Sequence, residues 1–130
     1  MELKGYPSNL DEAIETVIDF GELTKDKLAN LSENEFVSNL HFSYGMFIRN
    51  EWFLWWQKDH EYENWPIEKP ELVAFFNDIG IFHADDMSGI IFTSVYRHLK
   101  GIEINLDEQV EIYKEHWRKN GFKDGIFKIV

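Results

Sequence analysis

Residues 36–56 read FVSNLHFSYGMFIRNEWFLWW, and the fold turns on how this stretch is read. It holds three of the five tryptophans and the only arginine before Arg97. Ser32 and Glu35 stand just ahead of it as a Ser-x-x-Glu capping box, the signature of a helix start. Phe36, Val37, Leu40, His41, Tyr44, Met46, Phe47 and Ile48 cover too much of a helix circumference for a surface helix. The pattern predicts a central helix touched on several sides. Gly45 in its interior costs about 1 kcal/mol relative to alanine, which points to close approach of another helix. The run from Trp52 to Trp56 continues this helix or begins the turn after it, with Trp52 and Trp55 facing inward.

Upstream, Ser8 is the expected cap of a helix carrying Leu10, Ile14, Val17 and Ile18 and stopped at Gly21. A shorter helix capped by Thr24 follows. Downstream, residues 57–69 dissolve into acidic and aromatic residues and read as a long loop. Pro70 opens a helix that ends at Gly80. Asp85 or Asp86 caps the next, which runs to Leu99 before Gly101, and Asn105 with Glu108 opens a last one stopped at Gly121. The tail either adds a short strand or lies across the core. The reading is an all-α, single-domain bundle of five to seven helices over residues 1–130, arranged around the aromatic-rich helix.

Composition narrows the function classes. The chain has 130 residues, 44% of them hydrophobic, enough for one packed core. No apolar run reaches the roughly 20 residues of a membrane helix, and the N-terminus shows no basic-then-apolar secretion signal, so a cytoplasmic location is expected. Without cysteine there is no disulfide, thiolate metal site or cysteine nucleophile. The net charge is −11 and uneven: residues 1–96 carry 6 basic and 18 acidic side chains, residues 97–130 carry 7 and 6. An acidic body disfavours phosphate backbones and suits a basic protein partner.

Two constellations are candidates for chemistry. Arg49 and Asn50 end the central helix, and a buried arginine needs a carboxylate. Asp85 and Asp86, in the step His83-Ala84-Asp85-Asp86-Met87-Ser88, are the expected partners. The set of Arg49, Asn50, Asp85 and Asp86 reads first as an internal fastener and second as a ligand clamp. A metal site from His83, Asp85 and Asp86, with His41 or His98, is disfavoured, because neighbouring helical residues point about 100° apart. No cofactor is expected. Ser43, Ser88 and Ser94 lack a nucleophile context, and Glu51 joins the aspartates only as an arbitrary acid–base pair. The second constellation is the loop: Trp56, Tyr62 and Trp65 as aromatic anchors, with Asp59, Glu61 and Glu63 beside them. His60 is read as a surface residue.

The steps from His41 to Trp52, from His83 to Ile91 and from Tyr96 to Leu99 together resemble a family of small uncharacterised bacterial proteins. That family shows Gly-Met-x-Ile-Arg-Asn-x-Trp, then Asp-Asp-Met-Ser, then Arg-His-Leu. The resemblance covers about residues 30–117 and departs at 57–69, where a shorter connection is expected. It implies that Arg49, Asn50, Asp85 and Asp86 act as a matched set, and it implies no reaction.

The functional expectation is a small protein-binding module, most concretely an immunity or antitoxin-like inhibitor of a basic bacterial toxin. The alternative is a small-molecule or metal-dependent enzyme built on Arg49, Asn50, His83, Asp85 and Asp86. A homo-oligomer using its exposed aromatics is a third reading.

Overall fold

The computed structural model describes residues 6–57, 66 and 68–127. Among the described residues it is all-α, with six helices: α1 (Leu10–Gly21), α2 (Glu33–His41), α3 (Tyr44–Glu51), α4 (Glu71–Asp78), α5 (Ala84–Lys100) and α6 (Leu106–Lys119). A 3-10 turn, Asp26–Leu28, links α1 to α2. There is no strand among the described residues. In the tail, Phe122 and Phe127 instead pack on the Trp117 ring.

The centre of the bundle is α5, not residues 36–56. Eleven of its residues are buried, and α1, α2, α3 and α6 all pack against it. Ile90, Ile91, Phe92 and Val95 supply the apolar mass, while Ala84, Ser88, Gly89 and Ser94 are small enough for neighbours to close in. Its far end is tied down as well. Arg97 grips the Glu33 carboxylate through two bonds of 2.7 and 3.2 Å and also donates to the Ile104 carbonyl. Tyr96 donates to the Leu31 carbonyl at 2.7 Å.

The expected central helix is broken. Ser43 (φ −104°, ψ −84°) lies outside the helical region, and the chain turns there from α2 into α3. In a continuous helix the His41 carbonyl would accept from the Gly45 amide. Here it accepts from Arg49 Nη2 at 2.9 Å, so a side chain has replaced the rung. The break turns outward several residues expected inside: Met46 is 51% exposed, and Phe47 and Trp55 are also at the surface. Phe42, beside the break, is 78% exposed. Trp52 is buried, as its position predicts.

The helix ends follow the predicted chemistry with local substitutions. The Ser32–Glu35 capping box forms in full. Asn9 rather than Ser8 caps α1, and Glu22 rather than Gly21 takes the left-handed position at its end. Pro70 is the cap residue of α4 rather than its first helical residue. Asn105 is itself left-handed and makes no side-chain cap, so no capping box opens α6. Gly101, at φ 72°, ends α5 as its position predicts.

Candidate functional site: a polar knot at the head of the central helix

The head of α5 is capped by His83, whose Nδ1 accepts from the Asp85 amide at 3.0 Å. That displaces the aspartates, expected as caps, to the second and third helical positions. There they point in different directions, as residues about 100° apart must. Asp85 faces α3 and Asp86 faces α6.

Arg49 reaches this head from α3 and is 5% exposed. Its Nε lies 3.4 Å from Asp85 Oδ1, Nη1 donates to Ser88 Oγ at 3.0 Å, and Nη2 takes the His41 carbonyl. Nη1 also lies 3.4 Å from His41 Nδ1, which can only accept from a guanidinium. Ser88 in turn donates to the Asp85 carbonyl at 3.0 Å. Gly45 makes the room: a Cβ there would stand 2.7 Å from Arg49 Nη1 and 3.2 Å from Phe92. The close approach predicted for Gly45 is therefore chiefly that of the guanidinium.

Asp86 is buried and accepts from Trp117 Nε1 at 2.7 Å. Burial pushes its carboxyl above the ordinary value of 3.8, against the Trp117 bond and the fields of His83 and His116. The Tyr113 hydroxyl lies so close to Gly89 that a Cβ there would sit 2.2 Å from it. Burial, with the neighbouring Asp86 and Asp85 charges, raises that phenol to about 12. His83 is ringed by Trp55, Trp117 and Phe127 at centroid distances of 5.3, 5.7 and 4.9 Å.

The predicted set of four is thus divided. Arg49 and Asp85 meet, Asp86 belongs to a separate contact with α6, and Asn50 is exposed at the end of α3. Sequence reasoning missed Ser88 and His41 as partners of Arg49; it placed Val110, Tyr113 and Trp117 on the apolar face of the last helix but missed the Trp117 bond to Asp86 and the Tyr113 contact with Gly89. All three nitrogens of Arg49 lie against protein acceptors: Asp85, Ser88 with His41 Nδ1, and the His41 carbonyl. Among the described residues no group of three or more His, Cys, Asp or Glu could hold a metal ion.

Of the predicted binding loop, Trp56 is half-buried, donates to the Pro66 carbonyl at 2.8 Å and has Lys69 Nζ 5.9 Å from its ring. Asp59, Glu61, Tyr62, Glu63 and Trp65 lie outside the described residues.

The Asp86 contact carries a signed pH expectation. A carboxyl raised in the folded state stabilises the fold through its neutral form. That contribution is complete below the ordinary value of 3.8 and is lost as pH rises through the raised folded value. The charged form is therefore the one that the buried site accommodates poorly. Asp86→Asn keeps an acceptor for Trp117 and removes the charge, so its melting temperature should exceed wild type at pH 7. The gap should close as the pH approaches about 4. Paired thermal melts check this, and a lower melting temperature at pH 7 would mean that the charge itself holds α6.

Fold and site together define a small all-helical domain locked by a buried arginine at the head of its central helix. The family model of a domain of unknown function, DUF6794, matches residues 6–99, and the chain belongs to that family. No curated protein and no solved structure matches the chain. The matched segment takes in α1 to α4 and α5 as far as Leu99, so the Arg49–Asp85 fastener lies within it. Tyr113 and Trp117, on α6, lie beyond it. No helix is long and apolar enough to cross a membrane among the described residues.

Proposed function

We propose that the protein is a small acidic, cytoplasmic protein-binding module, most concretely an immunity or antitoxin-like inhibitor of a basic bacterial toxin. The observation that carries this reading is the exposed apolar group at the break between α2 and α3. Phe42, Met46 and Phe47 are solvent-facing within six residues of one another. Phe47 stacks on Phe20 of α1 at 5.4 Å, so the surface continues onto a second helix. Asp19, Glu22 and Glu51 are exposed beside these rings in sequence. An apolar centre with an acidic rim is the arrangement that anchors and steers a basic protein. To the loop acids Asp59, Glu61 and Glu63, which the sequence suggests and which lie outside the described residues, it adds a group of exposed acids among the described residues. The enzyme reading gains less support, because Arg49 is occupied by the protein's own acceptors.

The test uses the product of the gene adjacent to this one on its native chromosome. The two proteins should copurify, with affinity falling as salt rises. Phe42→Glu should leave the melting temperature unchanged, because that ring is 78% exposed, and should weaken binding by about tenfold or more. Calorimetric titration reads both effects. A partner that binds Phe42→Glu as well as wild type would remove this surface from the interface, and an acidic partner would overturn the reading.

A further inference from the structure

Away from the Arg49 knot, a cavity of about 280 Å3 opens between the lead-in to α1, the turn after α3 and the start of α4. Tyr6 and Pro7 line one side, Trp52 and Phe53 another, and Pro70 and Glu71 a third. Three features set this cleft apart from an ordinary surface fold.

The Trp52 indole is 2% exposed and its N–H has no hydrogen-bond partner. Trp56 and Trp117 both place theirs on an oxygen. A buried donor without an acceptor is a standing cost that native structures rarely keep without reason. Phe53, the next residue, takes the left-handed position that ends α3, at φ 54°, with its amide on the Asn50 carbonyl and the Leu54 amide on the Arg49 carbonyl; glycine is the usual residue there, and a bulky ring is strained. Such strain concentrates at ligand-binding segments. Finally, α4 begins on Pro70, which has no side chain able to cap the first-turn amides, and that first turn lies in the same cleft.

The cleft therefore presents aromatic rings and one exposed carboxylate, Glu71, beside the uncapped start of α4 and the covered Trp52 donor. A suitable ligand has acceptors, no donors that need burying, an apolar body and a positive charge at one side. Proline carries a carbonyl and no N–H. Extended proline segments keep all their carbonyls free, and aromatic-lined grooves are their usual receptors. Tyr6 and Phe53, edge to face at 5.9 Å, provide rings for a pyrrolidine to pack against. Glu71, on a chain of net charge −11, selects a basic neighbour.

We propose that this cleft binds a proline-rich peptide segment flanked by arginine or lysine, with a peptide carbonyl accepting the Trp52 indole N–H. The site is separate from the α2–α3 surface and does not depend on it. Because the Trp52 donor is covered in the free protein, Phe53 shifts to admit the carbonyl, and its strained backbone is the element that moves.

The test is a nitrogen–proton NMR titration of the indole region of the intact protein. The probe is the blocked peptide Arg-Pro-Pro-Pro-Pro-Arg. Two comparison peptides carry glutamate in place of arginine, or alanine in place of proline. Loss of one cross-peak in Trp52→Phe, which keeps an aromatic ring, assigns the signal. The Trp52 indole proton should move downfield and saturate, with a Kd of about 1 mM or tighter. The glutamate and alanine peptides should bind at least about fivefold more weakly. Glu71→Lys, an exposed substitution that leaves the fold intact, should weaken the arginine peptide by a similar factor. An unmoved Trp52 signal at millimolar peptide would overturn the proposal. So would equal binding of the alanine peptide, or no effect of Glu71→Lys. Wild-type peptide binding in a Phe42→Glu background separates this site from the proposed partner surface.

Discussion

Arg49→Ala lowers the unfolding free energy by about 3 kcal/mol, the lower end of what breaking a buried ion pair costs. The lower end applies because the Asp85 side chain is 43% exposed and water can take over part of its charge. The rest of the loss is on the inside. The His41 carbonyl loses the donor that replaced its helical rung, and Ser88 Oγ loses its 3.0 Å donor. The α2–α3 break then has nothing to hold its open carbonyl. For a domain of this size the melting temperature should fall by roughly 10 °C or more. Arg49→Lys should recover only part of this, since one ammonium cannot serve Asp85, Ser88 and the His41 carbonyl from three directions. Gly45→Ala should be destabilising in the wild type and less so in Arg49→Ala, because its added methyl then loses the collision with Nη1 and keeps only the tight contacts to the Leu40 carbonyl and Phe92, at 3.1 and 3.2 Å. Urea unfolding of the four proteins measures the coupling. If Arg49→Ala stays within about 1 kcal/mol of wild type, the guanidinium is not what fastens the helices. Binding through the α2–α3 surface should fail in Arg49→Ala only as the protein unfolds.

The second large effect is at Gly89. A methyl there would stand 2.2 Å from the Tyr113 hydroxyl and 3.3 Å from its ring carbon. Alanine gains about 1 kcal/mol of helix propensity over glycine. Overpacking of this severity costs about 3 kcal/mol or more, so the clash wins. The damage should be local. Tyr113 and Trp117 are the side chains by which α6 closes over the head of α5. Hydrogen exchange of Gly89→Ala should therefore show the α6 amides opening while those of α5 remain protected. Tyr113→Phe removes the offending oxygen, so the double variant should recover most of the loss. If the double variant is no more stable than Gly89→Ala alone, the hydroxyl contact is not the obstacle.

The sequence shows some of this plainly. The Ser32–Glu35 box and the Gly101 stop are local motifs, and local motifs survive into the structure because nothing distant competes with them. The demand of Arg49 for a carboxylate is equally legible, since burying a charge leaves few options. The break at Ser43 is not. It depends on a guanidinium eight residues along capturing the His41 carbonyl, which no periodicity records. The centrality of α5 is hidden for a related reason. Ser88 and Gly89 are buried as contact points for neighbours, yet a hydrophobic pattern counts them as surface. Asp86 looks like a helix cap until Trp117, 31 residues away, is seen donating to it.

The position of α5 in the chain has a consequence for how the protein is made. Three of the helices that pack on it, α1, α2 and α3, precede it in sequence. A growing chain that has not yet reached Ala84 carries Phe36, Ile48 and Leu54 with no α5 to cover them. The early helices must wait, sticky and unpaired, until the keystone is synthesised. Folding is thereby deferred until α5 has been synthesised, and the nascent chain is most in need of protection from aggregation just before α5 leaves the ribosome.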